Sequence, residues 1–326
     1  MAAKVWLNLD PEKVDVSVLD NGLREIGCEL HAEAVPGNDK EQVLAHALDA
    51  DIVISILEQW DEQMLKKVAG KVRFIQKYGA GLDNIDLAAA GACGIPVANV
   101  PGGNSAAVAE VALLHILNCG RRYSSCVEGV KKNGWPATIT GTELDQKTVG
   151  IMGYGNIARH LVRMLKGFQV RILVYDAFVN EAAEGQDVTF VNSPKELFAQ
   201  SDIISLHIPC TEETKGTINK ELFSCMKDGA IFVNTCRGGV VAEDDLVEAL
   251  QTGKIAAAGL DVLVEEPPKP EHPLMQMDNV FITSHMGAAS YESEERSQRI
   301  MVDAIGRFLK GELPAGVRNS KDLKKV

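Results

Sequence analysis

The sequence predicts an α/β fold of two doubly wound parallel-sheet domains, and three observations carry that expectation. Apolar, β-rich runs alternate with helix-length segments along the whole chain, which is the rhythm of βαβ units. Many of those runs are continuously apolar, as strands covered by helices on both faces are. The chain has 326 residues and is 46% hydrophobic, more than a single core usually organises and enough for two.

The expected strands are residues 5–9, 51–56, 72–76, 148–152, 170–175, 202–208, 230–234, 255–262 and 280–283. Residues 104–122 read as a helix that could bridge two domains, with Asn104 or Ser105 as N-cap after the turn-forming Pro101-Gly102-Gly103. The last long helix is expected over 290–310. Glu292, Glu294 and Glu295 sit in its first turn, opposite the helix dipole, and Ile300, Met301, Ala304, Ile305, Phe308 and Leu309 form its apolar stripe. A return of this helix to the N-terminal domain would make that domain discontinuous, with the tail 313–326 completing it. There is no repeat of solenoid period and no low-complexity tract.

Composition narrows the function classes. The net charge is −12, so a phosphate backbone or an anionic membrane would repel the chain on average. Neither nucleic acid nor membrane is an expected partner, whereas a small anionic metabolite is compatible with a locally positive site. No run approaches the roughly 18 apolar residues that cross a bilayer. Residues 1–9 lack the basic start, long apolar stretch and cleavage site of an export signal, so a cytoplasmic protein is expected. The seven cysteines include no C-x-x-C pair, which suits reduced thiols better than a disulfide frame or a zinc site. The seven histidines show no ligand spacing such as H-x-x-x-H, and no metal is expected.

The clearest chemical signal lies near the middle of the chain. After the strand at 148–152 come Gly153-x-Gly155-x-x-Ala158 and a helical pattern through Leu161, Leu165 and Phe168, the context that a dinucleotide-binding loop requires. Gly153 allows the tight turn, Gly155 lets pyrophosphate approach the backbone, and small Ala158 lets helix and strand pack closely. Phosphate would sit on the amides of Asn156 and Ile157, at the positive end of the helix. The next strand ends in Asp176, about 21 residues past Gly155, where a carboxylate can accept from the ribose hydroxyls and would repel a 2′-phosphate. The expected cofactor is therefore NAD. A second reading of Asp176, as the cap of a βα turn, stays open.

These residues resemble the D-isomer-specific 2-hydroxyacid dehydrogenases over nearly the whole chain. The resemblance rests on Gly79-Ala-Gly-Leu-Asp-Asn-Ile-Asp86, Asn99-Val-Pro-Gly-Gly-Asn-Ser105, His207-Ile-Pro-Cys-Thr211 with Thr214, Asn234-Thr-Cys-Arg-Gly238, Gly259-Leu-Asp261, Glu265-Glu-Pro-Pro268 and Ser284-His-Met-Gly287, in addition to the glycine loop. It implies two Rossmann-like domains, with residues 1–103 and 296–326 as a discontinuous substrate domain and 104–295 as the NAD-binding domain. It also implies an active-site cleft between them and a homodimer. By the same resemblance Ser105, Gly153, Gly155, Asn156, Ile157, Asp176, His207, Pro209, Thr214, Thr235, Cys236, Asp261, His285 and Gly287 are the expected cofactor-binding residues, Asp261 toward the nicotinamide amide. Two positions depart from the pattern: Ser284 stands where a proline commonly precedes the histidine, and Tyr78 is bulky for its place. The chain ends soon after the last helix, and no additional regulatory domain is expected.

Read on their own, Arg237 and His285 at strand ends are more often structural, and it is together with the family pattern that the same stretches point to a proton-transfer and anion site. Arg237 follows the strand at 230–234, at the end that faces the ligand crevice of an open α/β sheet, where its fork can hold a carboxylate. His285 follows the strand at 280–283, and an imidazole titrates close enough to neutrality to move a proton. Glu266 is the expected partner of His285, because the family pattern has the functional glutamate just before proline. A carboxylate bonded to the ring orients it and favours its protonated form. The small residues Gly79, Ala80 and Gly81 expose amides that could cradle a substrate carboxylate, with Tyr78 and Lys77 shaping the surroundings. The alternative, that these glycines only turn the chain, stays open. Cys236 is expected to pack and not to act as a nucleophile.

The function expected from this set is NAD-dependent interconversion of a D-2-hydroxy acid and its 2-oxo acid, with glycerate/hydroxypyruvate or glyoxylate preferred. Phosphoglycerate has weaker support, since Lys77 alone offers an extra cation near residues 79–81. The competing class is an NAD-sensing, corepressor-like binding protein on the same fold. A formate dehydrogenase is disfavoured by Glu266.

Overall fold

The structure is a computed structural model that describes residues 2–135, 138–178 and 188–323. The last three residues of the tail expected to complete the first domain lie outside the described residues. Two compact units partition the chain, one made of the residues up to Asn104 together with those from Ser290 on, the other of Ser105–Ala289.

The first unit opens with β1 (Ala3–Leu7), α1 (Ser17–Glu25), β2 (Cys28–Ala32), α2 (Lys40–Asp49), β3 (Ile52–Ser55), α3 (Glu62–Val68), β4 (Phe74–Lys77), α4 (Leu87–Ala92) and β5 (Val97–Ala98). The strands form one sheet in the order β2-β1-β3-β4-β5, all neighbours parallel. The continuous apolar runs have a simple cause. Successive side chains of a strand point to opposite faces, so Trp6 and Val53 enter a core with Val43, Ala47 and Leu65, while Val5, Leu7, Ile52 and Ile54 enter a second core on the other face. Aspartates start three of the helices: Asp39 accepts from Gln42 N, Asp61 from Met64 N and Asp86 from Ala89 N.

The second unit contains α5 (Ser105–Arg121), α6 (Tyr123–Asn133), β6 (Thr148–Met152), α7 (Asn156–Leu165), β7 (Arg171–Tyr175), β8 (Thr189–Phe190), α8 (Pro194–Gln200), β9 (Ile203–Leu206), α9 (Lys220–Cys225), β10 (Ala230–Asn234), α10 (Glu243–Gln251), β11 (Ile255–Leu260) and β12 (Val280–Ile282). Its seven strands run β12-β11-β10-β9-β6-β7-β8. The order reverses between β6 and β9, and in an open α/β sheet ligands bind outside the carboxyl ends of the strands at such a switch point. The glycine loop after β6 and the loop that begins at His207 after β9 both lie there. The expected helix at 104–122 stops at Arg122, which takes a left-handed conformation (φ 51°) and starts α6.

The chain then returns to the first unit as α11 (Tyr291–Leu309), capped by the Ser290 hydroxyl on Ser293 N. Met301 and Ile305 of its stripe are fully buried in the core shared by Val5, Leu7 and Phe74. The α/β expectation with two parallel sheets is thus met. Three strands escaped the sequence reading: the largely exposed β2 and the two-residue β5 and β8. No helix among the described residues is long and apolar enough to cross a membrane.

Candidate active site

The loop between β12 and α11 carries His285, whose main chain is held in the left-handed region (φ 53°). A buried carboxylate organises this loop. Asp261, at the end of β11 and 2% exposed, accepts from the Thr283 hydroxyl at 2.6 Å, from Met286 N at 2.9 Å and from Gly287 N at 2.8 Å. Its main-chain carbonyl accepts from His285 N at 2.9 Å. Because the Thr283 proton goes to Asp261, the Thr283 oxygen is the acceptor for His115 Nε2 at 3.0 Å. Burial of the His115 ring lowers its pKa, a shift that the Asp261 charge opposes. Gly259 makes room for that ring, since a Cβ there would stand 2.6 Å from His115 Cβ. Asp261 therefore braces the histidine loop with three of its lone pairs, and one is left for another donor.

His285 Nδ1 lies 2.7 Å from Glu266 Oε2, and Glu266 Oε1 accepts from Leu263 N at 3.0 Å. The carboxylate is thereby oriented by the main chain of its own turn, which passes through a cis Glu266-Pro267 peptide. Glu265 faces elsewhere, toward Lys269 at 4.0 Å. The Arg237 loop is clamped to the same turn: a Cβ on Gly238 would collide with the Leu263 carbonyl, so only glycine permits this approach. Asn234, 1% exposed, fixes the loop from below. Its Oδ1 accepts from Cys236 N and its Nδ2 donates to the Arg237 carbonyl. Arg237 Nη1 donates to Cys236 O at 2.7 Å. The Cys236 thiol donates to Asn234 Oδ1 at 3.1 Å, and burial pushes its pKa up to about 11. It is a packing thiol, in keeping with the sequence reading. That reading quoted Asn234 without giving it a role and gave none to Thr283 or His115; the signal for Asn234 was a polar residue closing an otherwise apolar strand.

The residues around the β6/β9 switch point fit a dinucleotide. Gly153 has φ +93° and a Cβ there would stand 2.5 Å from the His207 carbonyl, whereas a Cβ on Gly155 would meet nothing within 4 Å. The first glycine is required by the chain itself; the second leaves open space above the amides of Asn156 and Ile157, which start α7. Two buried polar atoms at adjacent strand ends, His207 Nδ1 and Thr235 Oγ1, have no hydrogen-bond partner among the described residues, as is also true of Glu58 Oε1 and Gln76 Oε1 in the first unit; at the switch point such atoms are available to a ligand. Burial pushes the His207 pKa down to about 4, so its ring is neutral there, and Nε2 pairs with Ser205 Oγ at 2.9 Å. Thr214 accepts from Thr211 N and donates to Pro209 O, each at 2.7 Å, closing the loop after His207. Gly287 packs against Asp261 Oδ2, where a Cβ would be 2.8 Å away. Ser105, 2% exposed, begins α5. Asp176 Oδ2 accepts from Tyr154 N at 2.7 Å and Oδ1 from Phe178 N at 2.8 Å. The carboxylate thus ties the glycine loop to the turn that follows β7.

In the first unit, Gly79 (φ +132°) turns the chain after β4. Its carbonyl accepts from Val100 N at 2.8 Å, and the Ala80 carbonyl from Asn99 Nδ2 at 2.7 Å; Gly81 follows directly. Tyr78 Oη donates to Glu294 Oε2 at 2.7 Å, and burial, followed by that bond, raises its pKa. Lys77 is 8% exposed, and its ammonium donates to the Ile56 carbonyl and to Asn84 Oδ1.

A family model described as the NAD-binding domain of D-isomer-specific 2-hydroxyacid dehydrogenases matches residues 113–287. The chain is 37% identical to D-3-phosphoglycerate dehydrogenase of Methanocaldococcus jannaschii over 92% of its own length, but spans only 57% of that relative. It is 35% identical to a hydroxypyruvate reductase of Blautia hydrogenotrophica, with 91% of this chain and 94% of the relative covered. Among solved structures, the TT0316 protein of Thermus thermophilus superposes with a TM-score of 0.87 at 31% identity, covering 96% of this chain and 99% of that one.

Proposed function

The chain belongs to the D-isomer-specific 2-hydroxyacid dehydrogenases, and from that premise we propose that it is an NAD-dependent oxidoreductase interconverting a D-2-hydroxy acid and its 2-oxo acid. The observation that carries this reading is the 2.7 Å pair of His285 Nδ1 and Glu266 Oε2. With Nδ1 committed to the carboxylate, Nε2 is the nitrogen that exchanges a proton with the substrate oxygen. Glu266 stabilises the imidazolium when the proton is held. Arg237 anchors the 2-oxo acid by two parallel donors and polarises its carbonyl. NAD, when bound, would supply or accept the hydride of this interconversion. Asp261 keeps the histidine loop in place, and the remaining lone pair of its carboxylate suits the nicotinamide amide. Gly79, Ala80 and Gly81 would hold the substrate carboxylate on their amides.

The preferred substrates are glycerate/hydroxypyruvate or glyoxylate. The Lys77 ammonium is bonded inside its own unit, which weakens the case for a phosphorylated substrate. Relatives named hydroxypyruvate reductase and glyoxylate reductase match the chain over most of their length. A homodimer is the expected assembly. In its support, α6 buries none of its side chains, and Leu114, Tyr123, Val130 and Trp135 are exposed on α5, on α6 and just beyond. The seven free thiols suit a reducing compartment, the cytoplasm.

A screen of 2-oxo acids with NADH and NADPH, followed by loss of reduced-cofactor absorbance, tests the reading. Turnover of hydroxypyruvate or glyoxylate with NADH is expected. Tight NADH binding without turnover of any 2-oxo acid would contradict it and favour a cofactor-gated binding role.

A further inference from the structure

The first unit brings together two imidazoles and a carboxylate that the proposed chemistry does not use. His31 on β2 and Glu33 just past its end are two residues apart, so both project to the same side of the strand. Across from them, His46 stands in the last turn of α2. His31 Nε2 is 2.9 Å and His46 Nε2 3.3 Å from one and the same oxygen, Glu33 Oε2, and one ligand atom from each of the three lies within 4.8 Å of the others.

Hydrogen bonding constrains which atoms of this group can face one another. His46 Nδ1 is 2.9 Å from the Gln42 carbonyl, which can only accept, so Nδ1 carries a hydrogen. In the neutral ring Nε2 is then a bare lone pair aimed at a carboxylate oxygen. Two acceptors face each other unless a proton or a cation lies between them. A backbone carbonyl on the far nitrogen is also the arrangement that orients metal-binding imidazoles. The His46 ring is held further by stacking on Trp6, with centroids 5.3 Å apart, and on His31, at 6.2 Å. Tetrahedral coordination at about 2.0–2.1 Å separates neighbouring ligand atoms by about 3.3–3.4 Å; the observed nitrogen–oxygen separations are 2.9 and 3.3 Å, and all three ligand atoms lie within 4.8 Å of one another. Both imidazoles border a groove of about 380 Å³ that gives a hydrated cation access; Glu29 lines it too, as does Asp49, which is paired with Lys4.

We propose that His31, Glu33 and His46 form a binding site for one divalent transition ion of the zinc class, with water completing its coordination. Two imidazoles and one carboxylate form a donor set that suits Zn²⁺. Bound there, the ion ties the edge strand β2 to α2. The sequence concealed the site because its ligands come from a strand end and a helix 13 residues farther on, joined only by the fold.

Equilibrium dialysis of the metal-stripped full-length protein against Zn²⁺, followed by titration with Co²⁺ to record its visible absorption, tests this site. One equivalent should bind, and Co²⁺ should give the intense bands of a tetrahedral centre. His31→Ala and Glu33→Gln alter exposed side chains, so folding should be kept, and each should weaken binding at least about tenfold. His285→Ala should bind as tightly as the parent, which separates this site from the proposed active site. Absence of saturable binding, or equal affinity in His31→Ala and Glu33→Gln, would overturn the proposal.

Discussion

Glu266 grips His285 with one oxygen and the main chain with the other: Oε2 is 2.7 Å from the ring nitrogen and Oε1 3.0 Å from Leu263 N. The carboxylate cannot rotate away from the imidazole without losing a backbone donor. Since Gly238 presses on Leu263, the Arg237 loop and the Glu266 turn are packed directly against each other.

The two loop glycines should separate folding from cofactor binding. Gly153→Ala places a methyl against the His207 carbonyl in a left-handed conformation and should cost about 1–3 kcal/mol, read as a lower Tm. Gly155→Ala has room and an ordinary backbone, so Tm should hold, while the methyl should raise the Kd for NAD by roughly tenfold or more by blocking pyrophosphate. Calorimetry of both variants decides; unchanged NAD affinity in Gly155→Ala would remove the cradle.

Asp176→Ser distinguishes the two roles left open for that carboxylate. If it also accepts from ribose, the ratio of kcat/KM for NAD over NADP should fall. If it only ties Tyr154 N and Phe178 N, Tm should drop and the ratio should stay as in the parent.

Arg237→Lys keeps the charge and loses the fork. A charge-assisted bond is worth about 1.5–3 kcal/mol, so kcat/KM for the 2-oxo acid should fall about 10- to 100-fold. Full activity in this variant would rule out two-pronged anchoring.

Asp261→Asn exchanges an all-acceptor group for one that must turn an amide NH₂ toward Thr283, Met286 or Gly287. The misfit should cost about 1–3 kcal/mol and loosen the histidine loop. Lower kcat and lower Tm are expected, with the pH dependence of the remaining activity unmoved, because the His285–Glu266 pair is intact. A displaced pH profile would mean that Asp261 acts on the proton itself.

What was legible in the sequence follows from burial. β1, β3, β6, β9 and β10 are covered on both faces and read as apolar runs. By contrast, β2 buries only Cys28, and β5 and β8 are two residues each, too short for any period to register. The helix expected over 104–122 agrees with α5 to within a residue at each end, whereas α6, with no buried side chain, has no apolar stripe to register. Arg237, Glu266 and His285 stood at strand ends in a recognisable order. The roles of Gly238 and Asp261 depend on contacts 25 or so residues away, a distance at which residue spacing carries no information.

The central claim, a carboxylate-supported imidazole that moves the proton, is tested most directly by pH profiles of kcat/KM in both directions for the parent and Glu266→Gln. Reduction needs the imidazolium and should fall as pH rises; oxidation needs the neutral ring and should fall as pH drops. His285→Ala should lower the rate about 10²- to 10⁴-fold with NAD binding largely kept. In Glu266→Gln both limbs should move to lower pH, because the charged ring has lost its anionic partner. Limbs that stay where they are in the parent would contradict the pair.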